Sequence, residues 1–198
     1  MRALVFDTET GGLDSRQYSL LSIGIVAVDL DSGEILEKIE MLHKLNLEEY
    51  KVSKEAMEIN KISLDECVEK GYTTQEISDK FMDMYYNHNC SLLAGHNIDF
   101  DIRFVARQVF KVEPEALEAS TTYRKVDTSA AIRLLNGLDG LKNGASLKQT
   151  VSALSIDMSD MKGGKYHTAL YDAVATAKIL CKFRKVFNDP VFIERLKN

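Results

Sequence analysis

The stretch Phe6-Asp7-Thr8-Glu9-Thr10-Gly11-Gly12-Leu13-Asp14 closes an apolar run, Ala3-Leu4-Val5-Phe6, that reads as a short buried strand. Side chains alternate across a strand, so Asp7 and Glu9 point to the same side. Two neighbouring carboxylates at the end of a hydrophobic strand repel each other and lose hydration on burial. A divalent cation relieves both costs, which makes the pair a candidate metal site.

Outward from this stretch, residues 2–7 are the opening strand and 20–29 a second one, carrying Ile23, Ile25, Val26 and Val28. Asp29-Leu30-Asp31-Ser32-Gly33 is a turn signal, and 34–43 continues as a third strand with hairpin spacing. The spacing predicts an N-terminal antiparallel meander of three strands. Apolar residues then recur at helical spacing over 74–86, 98–110, 147–154 and 168–187, with a short helix over 53–59 capped by Ser53. Short strands are predicted at 91–95 and 123–126, the latter leading into a helix that runs through Leu135. Strands alternating with helices after a meander predict an α/β fold, a mixed central sheet with flanking helices. Residues 136–144 and 157–165, the second with Gly163-Gly164, read as loops, and the second sits just before the last helix.

At 198 residues the chain suits one domain, 1–198, with a sizeable core. No apolar run approaches the roughly 20 residues needed to cross a bilayer. Arg2 is the only charge before the short apolar run Ala3–Phe6, which is no signal-peptide architecture. A cytoplasmic protein with no membrane partner is expected. Cys67, Cys90 and Cys181 are scattered and form no C-x-x-C, so they read as small buried hydrophobes rather than a disulfide framework or zinc knuckle. The net charge of −5 argues against a broad basic face for duplex binding. It does not exclude nucleic acid, because acids neutralised by bound cations no longer repel a polyanion.

Two further segments place polar groups at element ends. His96-Asn97-Ile98-Asp99-Phe100-Asp101 follows the strand at 91–95, where α/β proteins often build ligand sites. Asp101 falls in the first turn of the following helix. The ordinary reading of Asp99 and Asp101 is an acidic helix start, and of His96-Asn97 a polar turn. His167-Thr168-Ala169-Leu170-Tyr171-Asp172 enters the final helix. Five residues of ideal helix turn by about 140°, so His167 and Asp172 converge only if His167 precedes the helix on the glycine loop.

Taken together and in order, Asp7-Thr8-Glu9, Asn97-Ile98-Asp99-Phe100-Asp101 and His167 to Asp172 resemble the three motifs of the DnaQ-like 3′–5′ exonucleases. These form the histidine-bearing (DEDDh) branch of the DEDD group in the ribonuclease H-like superfamily. The resemblance covers residues 2–187. It implies a ribonuclease H-like sheet and metal-dependent hydrolysis at single-stranded DNA or RNA 3′ ends, releasing nucleoside 5′-monophosphates. Two Mg2+ or Mn2+ would be held by Asp7, Glu9, Asp101 and Asp172, with Asp7 bridging, and His167 would be the general base. Thr8, Thr10 and Leu13 would lie along the terminal nucleotide, with Leu13 wedged against a base and the Thr8 backbone near the 3′ end. His96, Asn97 and Phe100 complete the substrate-binding set, with Phe100 either stacking on a base or packing in the core. Gly11 departs from the pattern, standing where many relatives carry a second threonine.

Elementary chemistry agrees with these roles. Phosphodiester cleavage needs a nucleophilic hydroxide and relief of charge on the phosphate, and two divalent ions about 3.5–4 Å apart supply both. Such ions prefer carboxylate oxygens. A neutral imidazole serves as a base, so activity should rise between about pH 6 and 8. Arg103, Arg107, Arg124, Lys125, Lys162 and Lys165 are candidate phosphate contacts or simply solvated charges. Asp127 is a candidate fifth acid or a helix cap with Thr128. DNA proofreading or repair is the favoured setting. The alternatives are an exoribonuclease of short RNAs and a non-catalytic nucleic-acid-binding domain. The chain ends soon after the last long helix, so a free-standing nuclease or a short proofreading subunit is expected, with polymerase association and a homodimer both left open.

Overall fold

A computed structural model describes residues 1–137, 145–161, 168–190 and 194. The meander forms as β1 (Arg2–Thr10), β2 (Leu20–Asp29) and β3 (Ile35–Leu42). Two short strands, β4 (Leu92–Gly95) and β5 (Lys125–Asp127), complete a five-stranded sheet in the order β3-β2-β1-β4-β5. The β3/β2 and β2/β1 pairs are antiparallel, and the β1/β4 and β4/β5 pairs parallel. This is the ribonuclease H-like mixed sheet that the sequence leads one to expect.

β1 runs further than its apolar run suggests. Asp7 pairs with Gly24 and Glu9 with Ser22, so the strand continues to Thr10. On its other edge β1 meets β4 only from Ala3 to Val5. Past Val5 that edge is therefore open to whatever follows β4.

The helices are α1 (Lys54–Asn60), α2 (Leu64–Lys70), α3 (Thr74–Asn87), α4 (Ile98–Phe104), α5 (Pro114–Ser120), α6 (Thr128–Gly137), α7 (Leu147–Ala153) and α8 (Ala169–Phe187). The Ser53 hydroxyl accepts from the Ala56 amide at 3.1 Å and caps α1 as expected. α4 continues into a π-helical segment, Val105–Phe110. Helices α2 and α5 go beyond the sequence reading. Each buries a single residue, Cys67 or Leu117, which is too little to impose an apolar period.

The two faces of the sheet carry separate cores. Leu4, Phe6, Ile23 and Ile25 pack under α3 and α4 with Phe81, Met84, Ile98 and Phe104. Phe6 and Phe81 meet edge-on at 5.2 Å. Truncating Phe81 to alanine should cost about 3–5 kcal/mol. On the opposite face Ala3, Val5, Val26 and Val28 pack against Ala173, Val174 and Ala177 of α8. Alternation therefore puts Asp7 and Glu9 on the α8 face, and Thr8 and Thr10 on the α4 face. The three cysteines are free and buried. Among the described residues no helix is long and apolar enough to cross a membrane.

Candidate active site

The site begins with a spacing that β1 imposes. Asp7 and Glu9, two residues apart, extend from one face, and Asp172 reaches them from the first turn of α8. One carboxylate oxygen from each lies within 4.8 Å of the other two, and all three residues are half-buried. The donor set is entirely carboxylate oxygen, which suits a hard divalent ion.

Electrostatics mark the same place. Burial first, then the charges of Asp101, Asp172, Glu9 and Glu40, hold the Asp7 carboxyl well above the usual carboxylate range. Burial, together with Asp172, Glu40 and Asp101, pushes Glu9 up to about 8. These acids hold protons that a cation would displace.

Asp101 approaches from the other side of β1. Its Oδ1 accepts the Thr8 amide at 2.9 Å and the Thr8 hydroxyl at 2.7 Å. The amide belongs to the edge that β4 leaves open, so a helix side chain takes over where the strand stops. Burial raises the Asp101 pKa to about 7 against the opposing pull of both Thr8 hydrogen bonds. The Thr8 amide, expected near the substrate 3′ end, is thus engaged within the protein by Asp101. The Thr10 hydroxyl donates to the Gly12 carbonyl at 2.7 Å.

A cleft of about 530 Å3 opens beside Glu9, walled by Leu13, Tyr18, Ala56, Ile59 and Phe100, with Asn60 at its edge. Leu13 is 85% exposed and Ile59 60%. Large apolar side chains so placed mark a binding surface more than a core. Phe100 does both jobs: it lines the cleft and packs on Phe104 at 5.0 Å. The Leu13 loop is held from behind by the π-helical segment. Gln108 accepts from the Leu20 amide at 2.8 Å and donates to the carbonyls of Ser15 and Tyr18 at 3.0 and 2.5 Å. Gly11 is explained by the same crowding, since a Cβ there would overlap the Lys51 carbonyl.

Other expected contacts are engaged within the protein. His96 Nδ1 pairs with the Thr128 hydroxyl at 2.9 Å and Nε2 with the Ala145 carbonyl at 2.8 Å, and burial lowers its pKa. With both nitrogens occupied, His96 latches β4 to α6 and to the approach of α7. Asn97 is exposed at φ 81°, a left-handed conformation that asparagine tolerates, and its amide donates to Asp127 at 2.9 Å. Asp127 also accepts from Ser129 at 2.8 Å. Burial would raise Asp127, but these backbone bonds outweigh it and lower the pKa, so it organises the turn rather than joining the acids. Lys125 bridges Asp99 and Glu118, and Arg107 holds Ser15 and Glu113. His167, Lys162, Lys165, Gly163 and Gly164 lie outside the described residues. Glu40 and Gly24 escape the sequence reading. Each sits across the sheet from Asp7, a neighbourhood that only strand register reveals.

A ribonuclease H-like sheet with clustered carboxylates at the end of its central strand is the architecture of a nuclease. The profile of the family described as Exonuclease (RNase_T) matches residues 4–180, and the chain belongs to that family. It is similar to ribonuclease T of Buchnera aphidicola subsp. Acyrthosiphon pisum, 27% identical over 191 residues, covering 90% of this chain and 80% of that protein. It is also 29% identical over 180 residues to the PolC-type DNA polymerase III of Thermotoga petrophila, covering 91% of this chain but only 12% of the polymerase. Its fold is that of E. coli exonuclease I in complex with a dT13 oligonucleotide, with a TM-score of 0.73 at 18% identity, covering 98% of this chain and 43% of the other.

Proposed function

We propose that the chain is a single-domain, metal-dependent 3′–5′ exonuclease that releases nucleoside 5′-monophosphates from single-stranded ends, with DNA as the favoured substrate. The convergence of Asp7, Glu9 and Asp172 beside an apolar cleft carries this reading. Asp7, Glu9, Asp101 and Asp172 would hold two Mg2+ or Mn2+, and such ions supply an acidified water and offset the charge on a phosphate.

The chain's own residues do the rest. Leu13, Ile59 and Phe100 receive the terminal base, which must be unpaired to enter between them. Thr8 orients the Asp101 carboxyl with two hydrogen bonds, which favour its ionised form against the burial that raises its pKa. His167 accepts the proton of the attacking water on a ring nitrogen. The new bond joins water oxygen to phosphorus. The bond that breaks joins phosphorus to the O3′ of the preceding nucleotide, which leaves as the shortened 3′ end and takes a proton from solvent.

The PolC-type relative supports association with a polymerase, and a homodimer is compatible with the same reading. One observation favours a second reading, an exoribonuclease of short RNAs: the match to ribonuclease T spans 80% of that protein.

The test is digestion of matched 3′-labelled single-stranded DNA and RNA with Mn2+, with EDTA and Asp7→Ala as controls. Mononucleotides released from DNA support the proposal, and faster release from RNA selects the second reading. Absence of cleavage, with Asp7→Ala binding the oligonucleotide as tightly as the natural chain, would leave a non-catalytic binding domain.

A further inference from the structure

The helix that delivers Asp172 crosses the sheet at one place. Asp7, Gly24 and Glu40 lie in register on β1, β2 and β3. Residues paired directly across strands point to the same face. Asp7 and Glu40 therefore flank a bare Cα, and a Cβ on Gly24 would overlap the backbone of Ala169 and Leu170. The first turn of α8 occupies that gap.

Glu40 then reaches the helix from β3. Its Oε1 accepts the Leu170 amide at 3.4 Å, and the same carboxylate accepts the Ala169 amide. The first amides of any helix lack partners within it, and a negative charge there also complements the helix dipole. Asp172 lies in that same first turn, with its amide on the Thr168 carbonyl at 3.1 Å. The arrangement carries a cost, because the charge of Glu40 reaches both Asp7 and Glu9 and adds to the repulsion among the acids. A neutral residue at this exposed position would avoid that cost, so the contact with α8 is what Glu40 contributes.

We propose that Glu40 is a positioning residue: seated beside Gly24, it anchors the first turn of α8 on the sheet and thereby holds Asp172 against Asp7 and Glu9. The anchoring is independent of the reaction. Only its consequence for turnover rests on the function proposed above.

The experiment compares Glu40→Ala and Glu40→Gln with the natural chain for Mn2+ binding by calorimetry and for kcat and KM on single-stranded DNA. Glu40→Ala should weaken Mn2+ binding and lower kcat by about tenfold, the effect of losing two backbone contacts to a charged group. KM for the oligonucleotide should stay within about twofold, since the cleft is untouched. Glu40→Gln keeps an oxygen acceptor for both amides and should return to within about threefold of the natural chain. A direct cation ligand would show the opposite pattern, so a glutamine variant as damaged as the alanine one overturns the proposal. Unchanged Mn2+ affinity in Glu40→Ala also overturns it. If the natural chain shows no nuclease activity, the functional reading fails, while the Mn2+ titrations still decide the role of Glu40.

Discussion

Thr8 gives both its backbone amide and its hydroxyl to a single oxygen of Asp101, at 2.9 and 2.7 Å. The two hydrogen bonds join the strand that carries Asp7 and Glu9 to the helix that carries Asp101, and they work against the burial that raises Asp101. Thr8→Val keeps the β-branched shape and the amide bond but removes the hydroxyl. A hydrogen bond to a charged group contributes about 1.5–3 kcal/mol. Mn2+ affinity measured by calorimetry should fall roughly tenfold or more, with Thr8→Ser close to the natural chain. Equal affinity in the valine variant would show that the hydroxyl does not govern the charge on Asp101.

The acids also set how stability depends on pH. Glu9 is pushed from 4.5 up to about 8, and Asp101 from 3.8 to about 7. The folded chain thus holds these protons more tightly than the unfolded chain does. The resulting stabilisation is complete below the unfolded values and is lost as pH rises through the folded ones. Without metal, the melting temperature should therefore fall as pH rises from 3.8 to about 8, the window these shifts define. Mn2+ displaces the same protons and should raise the melting temperature more at about pH 8 than at about pH 5. Calorimetric scans in EDTA and in Mn2+ across this range make the check. A metal effect that does not grow with pH would mean that the cation binds elsewhere.

The contrast between these carboxylates and Glu40 shows what a sequence can and cannot reveal here. Asp7 and Glu9 are two apart on a strand, so their shared face follows from the backbone alone. The β2–β3 turn at 29–33 is equally local and legible. The position of Glu40 opposite Gly24 is not, because the pairing shifts register between Ala27 and Val28. A bulge of that kind leaves no apolar signature, and one residue of slip would send Glu40 to the other face. The internal partners of His96 are hidden for a related reason. A histidine at a strand end looks available until the fold brings the Thr128 hydroxyl and the Ala145 carbonyl onto its two nitrogens.

Leu13 tests the cleft with little risk to the fold. At 85% exposed, its side chain contributes almost nothing to the core. Full burial of a leucine side chain contributes about 1.5–3 kcal/mol, and contact along one face of a base about half of that. Leu13→Ala should raise KM for single-stranded DNA about fivefold, with kcat and melting temperature near those of the natural chain. Steady-state kinetics on a short oligothymidylate resolve the two constants. A fall in kcat at constant KM would place Leu13 in the chemical step rather than in holding the base.

Gln108 tests whether the same loop is held from behind. π-helical turns are rare and often sit at functional sites. In this one Arg107 and Gln108, adjacent in sequence, both reach Ser15. The Gln108 amide fills one acceptor and two donor roles against the backbone of Ser15, Tyr18 and Leu20. Gln108→Ala should destabilise the protein by about 2–3 kcal/mol, at about 1 kcal/mol for each hydrogen bond. Hydrogen exchange at the Leu20 amide, which donates to Gln108 Oε1, should quicken more than exchange at the core amides of β2. Gln108→Glu separates the two halves of the clamp. A carboxylate still accepts from Leu20 but faces the carbonyls of Ser15 and Tyr18 with no proton to offer. Its Leu20 amide should stay protected, while KM rises as the loop bearing Leu13 loosens. Rapid Leu20 exchange in the glutamate variant would mean that the loop is held as one unit, not by separable contacts.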